Sequence, residues 1–127
     1  MATVSTLQTI RIAGSLTIEP STPVVGGVES AVILSEAANM KAVVDQTFSL
    51  AAGTSRTFTM STVLGSSAAF VFYASTNKVT LVETAFGVSA SGVFYIRKDS
   101  TNSIAEIQVT NPGVSAVTVR LILGALA

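Results

Sequence analysis

The feature that most constrains this chain is a run of period-two alternation near its C-terminus. Ala105, Ile107 and Val109 fall on one side of Glu106, Gln108 and Thr110. Asn111-Pro112-Gly113 then breaks the run, and Val117, Val119, Leu121 and Leu123 resume it. Successive side chains of a strand point to opposite faces, so this pattern describes strands with one buried and one wet face. An antiparallel pair joined at Asn111-Pro112-Gly113 is the expectation.

The same logic extends upstream. Phe48 and Leu50 alternate with Thr47 and Ser49, Ala51-Ala52-Gly53-Thr54-Ser55 supplies turn residues, and Phe58 and Met60 alternate with Thr57 and Thr59, which predicts a hairpin. Residues 68–74 are continuously apolar and aromatic between Ser/Gly-rich borders, as in a central strand covered on both faces. A turn at Asn77 leads to Val79, Leu81 and Val82; residues 93–96 form a further strand before the charged turn Arg97-Lys98-Asp99. Residues 30–45 are ambiguous. Ile33, Ala37, Met40 and Val44 fall at helical spacing, whereas Val32, Leu34 and Val43 suit strands; strands meeting at a turn on Asn39 are favoured.

Turn chemistry recurring every ~8–12 residues implies an all-β antiparallel fold, a β-sandwich or jelly-roll-like domain. A chain of 127 residues suits one core. In Glu19-Pro20-Ser21-Thr22-Pro23 each proline fixes its own φ and restricts the residue before it, and Gly26-Gly27 follows. Residues 20–27 therefore read as a linker between an N-terminal segment, 1–19, and a sandwich domain, 28–127. Two roles for 1–19 stay open: an arm reaching a neighbouring subunit, or the first strands of the same core.

Charge is scarce: seven Lys and Arg, seven Asp and Glu, 11% of the chain against about 25% in an average domain. Hydrophobic residues reach 49% and mean hydropathy is +0.64. So thin a solvated skin implies that part of the surface packs against other protein. The zero net charge gives no footprint for nucleic acid or anionic lipid. No apolar run approaches the roughly 20 residues of a membrane-spanning helix, and the first thirteen residues lack the pattern of a secretory signal.

Catalytic chemistry has little to draw on. His, Cys and Trp are absent, which removes imidazole bases, disulfides and the usual zinc ligands; no cofactor or metal is expected, and the chain reads as non-enzymatic. Gly53-Thr54-Ser55 lacks the second glycine of a nucleophile elbow and reads as a turn. Glu29, Glu36 and Asp45 form a loose carboxylate group without calcium-loop spacing, better read as solvated edges, with Glu29 a candidate ion-pair partner for Lys41. Gly26-Gly27 lacks the Gly-Lys-Ser/Thr of a phosphate loop. Arg97-Lys98, following Phe94 and Tyr95, is the one basic and aromatic spot that suits stacking on a base or sugar; aromatics in the core and charges at a turn explain it more simply.

Two segments carry a resemblance. The ending Ile107-Gln108-Val109-Thr110-Asn111-Pro112-Gly113, then Val117-Thr118-Val119-Arg120-Leu121-Ile122-Leu123-Gly124-Ala125, resembles the endings of small virion proteins of tailed phages. Leu50-Ala51-Ala52-Gly53-Thr54-Ser55-Arg56-Thr57-Phe58-Thr59 resembles hairpins of the same class and of many Ig-like sandwiches. The resemblance implies a capsid cement or decoration protein of the bacteriophage head, a structural protein of the virion that clamps the major capsid protein and forms a homo-oligomer, commonly a trimer. It transfers no functional residue. The interface expected from the alternating apolar positions comprises Ile10, Ile12, Leu16, Ile18, Leu121, Leu123 and Leu126. The alternative is an Ig-like or lectin-like binding module that recognises a glycan or cell-surface ligand through its loops, with Tyr95 as a candidate contact.

Overall fold

The computed structural model describes residues 8–18 and 30–127, with the side chains of 14–18 and 30–36 outside that description. Its strands are β1 (Gln8–Ile18), β2 (Ser30–Leu50), β3 (Ser55–Thr59), β4 (Phe70–Glu83), β5 (Val88–Lys98), β6 (Glu106–Thr110) and β7 (Val117–Leu126), with one helical turn, α1 (Met60–Val63). All pairings are antiparallel, and one seven-stranded sheet runs β1-β2-β7-β4-β6-β3, with β5 on the other side of β4. The all-β antiparallel expectation holds. The sheet is a strongly curled half-barrel with an extra strand, however, and not a clear sandwich or jelly roll.

The reason lies in β4. Its first half, Phe70 to Ser75, pairs with β7, and its second half, Thr80 to Glu83, pairs with β6, while β5 follows both. The ladders are interrupted between Ala74 and Val79, but the strand itself runs on through the bend, so one sheet wraps around its own core and no second sheet is needed. The turn expected at Asn77 is instead an irregularity within β4 between Ala74 and Val79. There Asn77 Oδ1 accepts from the Lys78 N–H and the Ser75 hydroxyl donates to the Asn77 carbonyl. This local bonding bends the strand without reversing it.

Both expected hairpins prove to be corners. Strand β2 pairs with β7 and β3 with β6, so neither β2 and β3 nor β6 and β7 pair with each other. The two corners run side by side: Gly53 N–H donates to the Asn111 carbonyl at 2.9 Å, and Asn111 N–H to the Thr54 carbonyl at 2.9 Å. The buried Asn111 amide ties them together, donating to the carbonyls of Leu50 (3.0 Å) and Ser115 (2.8 Å) and accepting from Gly113 N–H (2.9 Å). Gly53, at φ 69°, takes the left-handed conformation that its corner requires.

Residues 30–45 are strand, as favoured, but without a break at Asn39. Strand β2 continues for 21 residues because it gains β1 as partner up to Met40 and β7 from there onward, with an irregularity at Met40/Ala42. The concave core comprises Phe48, Leu50, Phe58, Met60, Val71, Tyr73, Leu81, Ile107, Val109, Val119, Leu121 and Leu123 among others. The alternation thus places Ile107, Val109, Val117, Val119, Leu121 and Leu123 inward as read, whereas Ala105, just before β6, is exposed and Ile104 is buried instead. The linker 20–27 lies outside the described residues; β1, from the proposed arm, is laddered to residues 30–40 of the proposed domain.

Asn111→Ala removes two donors, one of them from a buried bond to the Leu50 carbonyl, and we expect a loss of about 1–3 kcal/mol of unfolding free energy. Asn111→Asp keeps the acceptor for Gly113 but neither donor, and the urea midpoints of both variants should fall together.

Candidate functional site

Two features stand out from the general packing. The first is on the face of the sheet turned away from the core. Met40 and Phe70 are buried there, separately from the core cluster, beneath β1. A Cβ built on Gly124 would approach Ile10 Cδ1 to 2.8 Å and Met40 Sδ to 3.1 Å, so glycine at 124 lets β1 seat closely on β7. Beside this seat lies an open apolar groove of about 290 Å³, walled by Ile10 to Ala13 of β1 and floored by Phe72, Phe94, Ile96 and Ile122. The floor arises from register: Ile96, Phe72 and Ile122 lie directly opposite one another across β5, β4 and β7. At its rim Arg120 is held by Asp45 in a two-point contact, Nε to Oδ1 at 3.1 Å and Nη2 to Oδ2 at 2.7 Å. Phe94 packs edge-on against Phe72, yet remains 57% exposed, and Val93 beside it 54%.

The second feature is a buried carboxylate. Glu83, 0% exposed, accepts from Arg97 Nη1 and from the Tyr95 hydroxyl at 3.2 Å. Arg97 also approaches Asp99, Nη2 to Oδ2 at 3.4 Å, and lies over the Phe86 ring at 4.3 Å. Burial pushes the Tyr73 and Tyr95 phenols up, and the two rings stack at 6.0 Å. Because Glu83 sits near the tip of the β4–β5 pair and Arg97 near its base, the cluster ties the curled hairpin to itself. The carboxylate is thus buried with its charge paired to Arg97 and a second donor in Tyr95.

The expected interface residues divide. Ile10 and Ile12 line the groove. Leu121 and Leu123, each 1% exposed, belong to the core and are unavailable to a neighbour; they occupy inward positions of β7. Leu126 is half-buried at the end of β7, where Asn102 takes both its N–H (2.6 Å) and its carbonyl (3.1 Å). Leu16 and Ile18 are paired in β1 with Val32 and Ser30, their side chains lying outside the described part. Of the carboxylate group, Asp45 turns to Arg120, while Glu29 and the Glu36 side chain are outside it, and so is the Glu29–Lys41 pairing. Neither half of the simpler reading of Phe94 to Lys98 fits entirely: Phe94 faces solvent, and Arg97 joins a buried cluster within β5. Tyr95, the candidate glycan contact, has its hydroxyl on Glu83.

Glu83 is not among the residues that the sequence motifs single out. Its signal was positional: Val79 and Leu81 are inward, so 83 is the next inward site. Gly124 carried no comparable signal, since a close approach by a strand more than a hundred positions away is invisible locally. Among the described residues no cluster of His, Cys, Asp and Glu has the makings of a metal site, and no helix is long and apolar enough to cross a membrane. A scan of protein-family models gives no match to this chain, nor do searches of curated proteins and of solved structures.

Glu83→Ala leaves Arg97 without its main partner and should lower stability by about 3 kcal/mol, toward the low end for broken buried pairs because Arg97 retains some water. Tyr95→Phe should cost about 1 kcal/mol, read by the same urea titration.

The hydrogen bond from Arg120 lowers the Asp45 carboxyl below its ordinary 3.8, and bonds from Ser103 and the Thr101 amide do the same for Asp99. A depressed carboxyl contributes stability that is complete above its unfolded value and lost as pH falls through the folded one. The melting temperature should therefore lose these contributions only below about pH 4. Asp45→Asn should flatten part of that acid limb.

Proposed function

We propose that this chain is a non-enzymatic structural protein of a phage virion, which self-associates and stabilises the capsid as a cement or decoration protein does. The observation that carries the reading is the apolar outer groove of Ile10, Ile12, Phe72, Ile96 and Ile122 with Phe94 at its margin. Apolar surface of this kind on one face, rimmed by charge, fits a protein contact. Its bounding strand β5 strengthens the case. Among the described residues β5 pairs only with β4, leaving an 11-residue edge that carries Val93 and Phe94. Edges left long and apolar invite another chain, whereas the opposite edge, β3, is five residues long and carries Arg56 over the Phe48 and Phe58 rings.

The use of charge points the same way. Arg97, Glu83, Asp99, Arg120 and Asp45 are engaged with one another, so the few ionised groups serve internal ties as much as solvation. The partners proposed are further copies of the chain, as a trimer, and the major capsid protein; the place of action is the assembled virion, with assembly in the bacterial cytoplasm.

Size-exclusion chromatography with light scattering should give a trimer whose mass is insensitive to salt, since apolar burial rather than ion pairing would hold it. Phe94→Asp should weaken association while leaving the β circular dichroism intact. Re-addition of the protein to capsids stripped of it should raise the temperature at which they release DNA. A wild-type monomer that leaves capsids unaffected would overturn the proposal.

A further inference from the structure

We infer that β1 is an exchanged strand: in the assembled protein, β1 of one copy occupies the seat on β2 and β7 of another. The inference rests on the self-association proposed above and names the element that performs it.

Three observations lead to it. Among the described residues strand β1 has a ladder on one side only, with β2, from Gln8 opposite Met40 to Ile18 opposite Ser30. Residues 30–39 of β2 in turn have β1 as their only strand partner among the described residues. The ribbon therefore forms or dissolves as a unit, without breaking the ladders of the body.

The connection is also far longer than a local return requires. Ile18 and Ser30 lie directly opposite each other, a gap that hairpin loops of about 2–5 residues close. The chain instead places residues 19–29 there, a segment that reaches on the order of 35 Å when extended. Pro20 and Pro23 in that segment bias its sequence toward open backbone. Such a length allows β1 to be donated elsewhere.

Finally, the seat is specific. Ile10 lies on Gly124 and Met40, with Phe70 buried alongside, and glycine at 124 makes that approach possible. A donated strand would find the same ladder and the same seat on a neighbour. Exchange then conserves every contact and alters only the path of the connection, which makes it a low-cost route to an oligomer.

The absence of cysteine allows a clean test. Thr9 and Asn39 are opposite each other in the ladder, both exposed, with Thr9 Oγ1 donating to Asn39 Oδ1 at 3.1 Å. Opposed antiparallel residues lie about 4.5–5.5 Å apart at Cα, within disulfide reach. Ser55 and Thr110 offer a matching pair inside the body, their hydroxyls 2.7 Å apart.

The double variant Thr9→Cys/Asn39→Cys is oxidised and run on a non-reducing denaturing gel beside Ser55→Cys/Thr110→Cys. Exchange predicts covalent dimers and trimers for the first and monomers for the second. Monomers with fully oxidised thiols in both would overturn it, as would failure of the first pair to oxidise while the control does. Co-expressing differently tagged Thr9→Cys and Asn39→Cys single variants gives a second reading, because their mixed disulfide must join two chains. Light scattering on the same wild-type preparation separates the two proposals: an oligomer with only intrachain cross-links ends exchange and leaves self-association standing, whereas a monomer ends both.

Discussion

The corner at Asn111 sets the shape from which the rest follows. A single sheet that buries its own concave face must turn sharply, and at a turn the backbone leaves the ladder and its polar groups need other partners. Here two strand pairs, β2 with β7 and β3 with β6, turn at the same level, and one amide serves the carbonyls on both sides. Pro112, which cannot donate, follows immediately, and Gly113 donates back to the Asn111 side chain. With the corner fixed, β4 is free to pass from β7 to β6, and the curl closes over Tyr73, Leu81 and Ile107.

The closing side uses a different chemistry. At the β4–β5 hairpin the curl is tied by Glu83, Arg97 and Tyr95, and a buried charge pair of this sort gives less net stability than its bonds suggest, because desolvation offsets much of the attraction. Its value lies in geometry: a buried carboxylate with two specific donors tolerates one arrangement of the hairpin, where apolar contacts alone tolerate several.

Much of the fold was legible in the residues, and the failures share one cause. Alternation gave the inward faces of β6 and β7 correctly, down to Leu121 and Leu123, which for the same reason cannot serve as interface. What alternation and turn residues cannot distinguish is a reversal from a corner. Gly53 and Asn111-Pro112-Gly113 mark points where the chain leaves its strand, and whether the next strand returns beside the first or folds onto another pair depends on partners distant in sequence. Asn77 is a like case, since its side-chain bonding bends β4 without ending it. In residues 30–45 the helical spacing lost to a ladder available on successive sides. Of the outer groove, Ile10 and Ile12 were visible as an apolar pair, whereas Phe94 was assigned inward because aromatic residues in a strand usually are; the register with Ala74 places it on the opposite face.

The ribbon of β1 and β2 connects fold to function most directly. An isolated two-stranded hairpin is marginal in water, because it orders two backbones while burying little apolar surface. Here the part nearest the body is secured by Met40, Phe70 and Gly124 beneath Ile10, but the ladder continues to Ile18 and Ser30, where β2 has left β7 behind. Each further pair adds ordering cost with no strand on the second edge among the described residues. That length of ribbon is the part of the sheet least secured by the body.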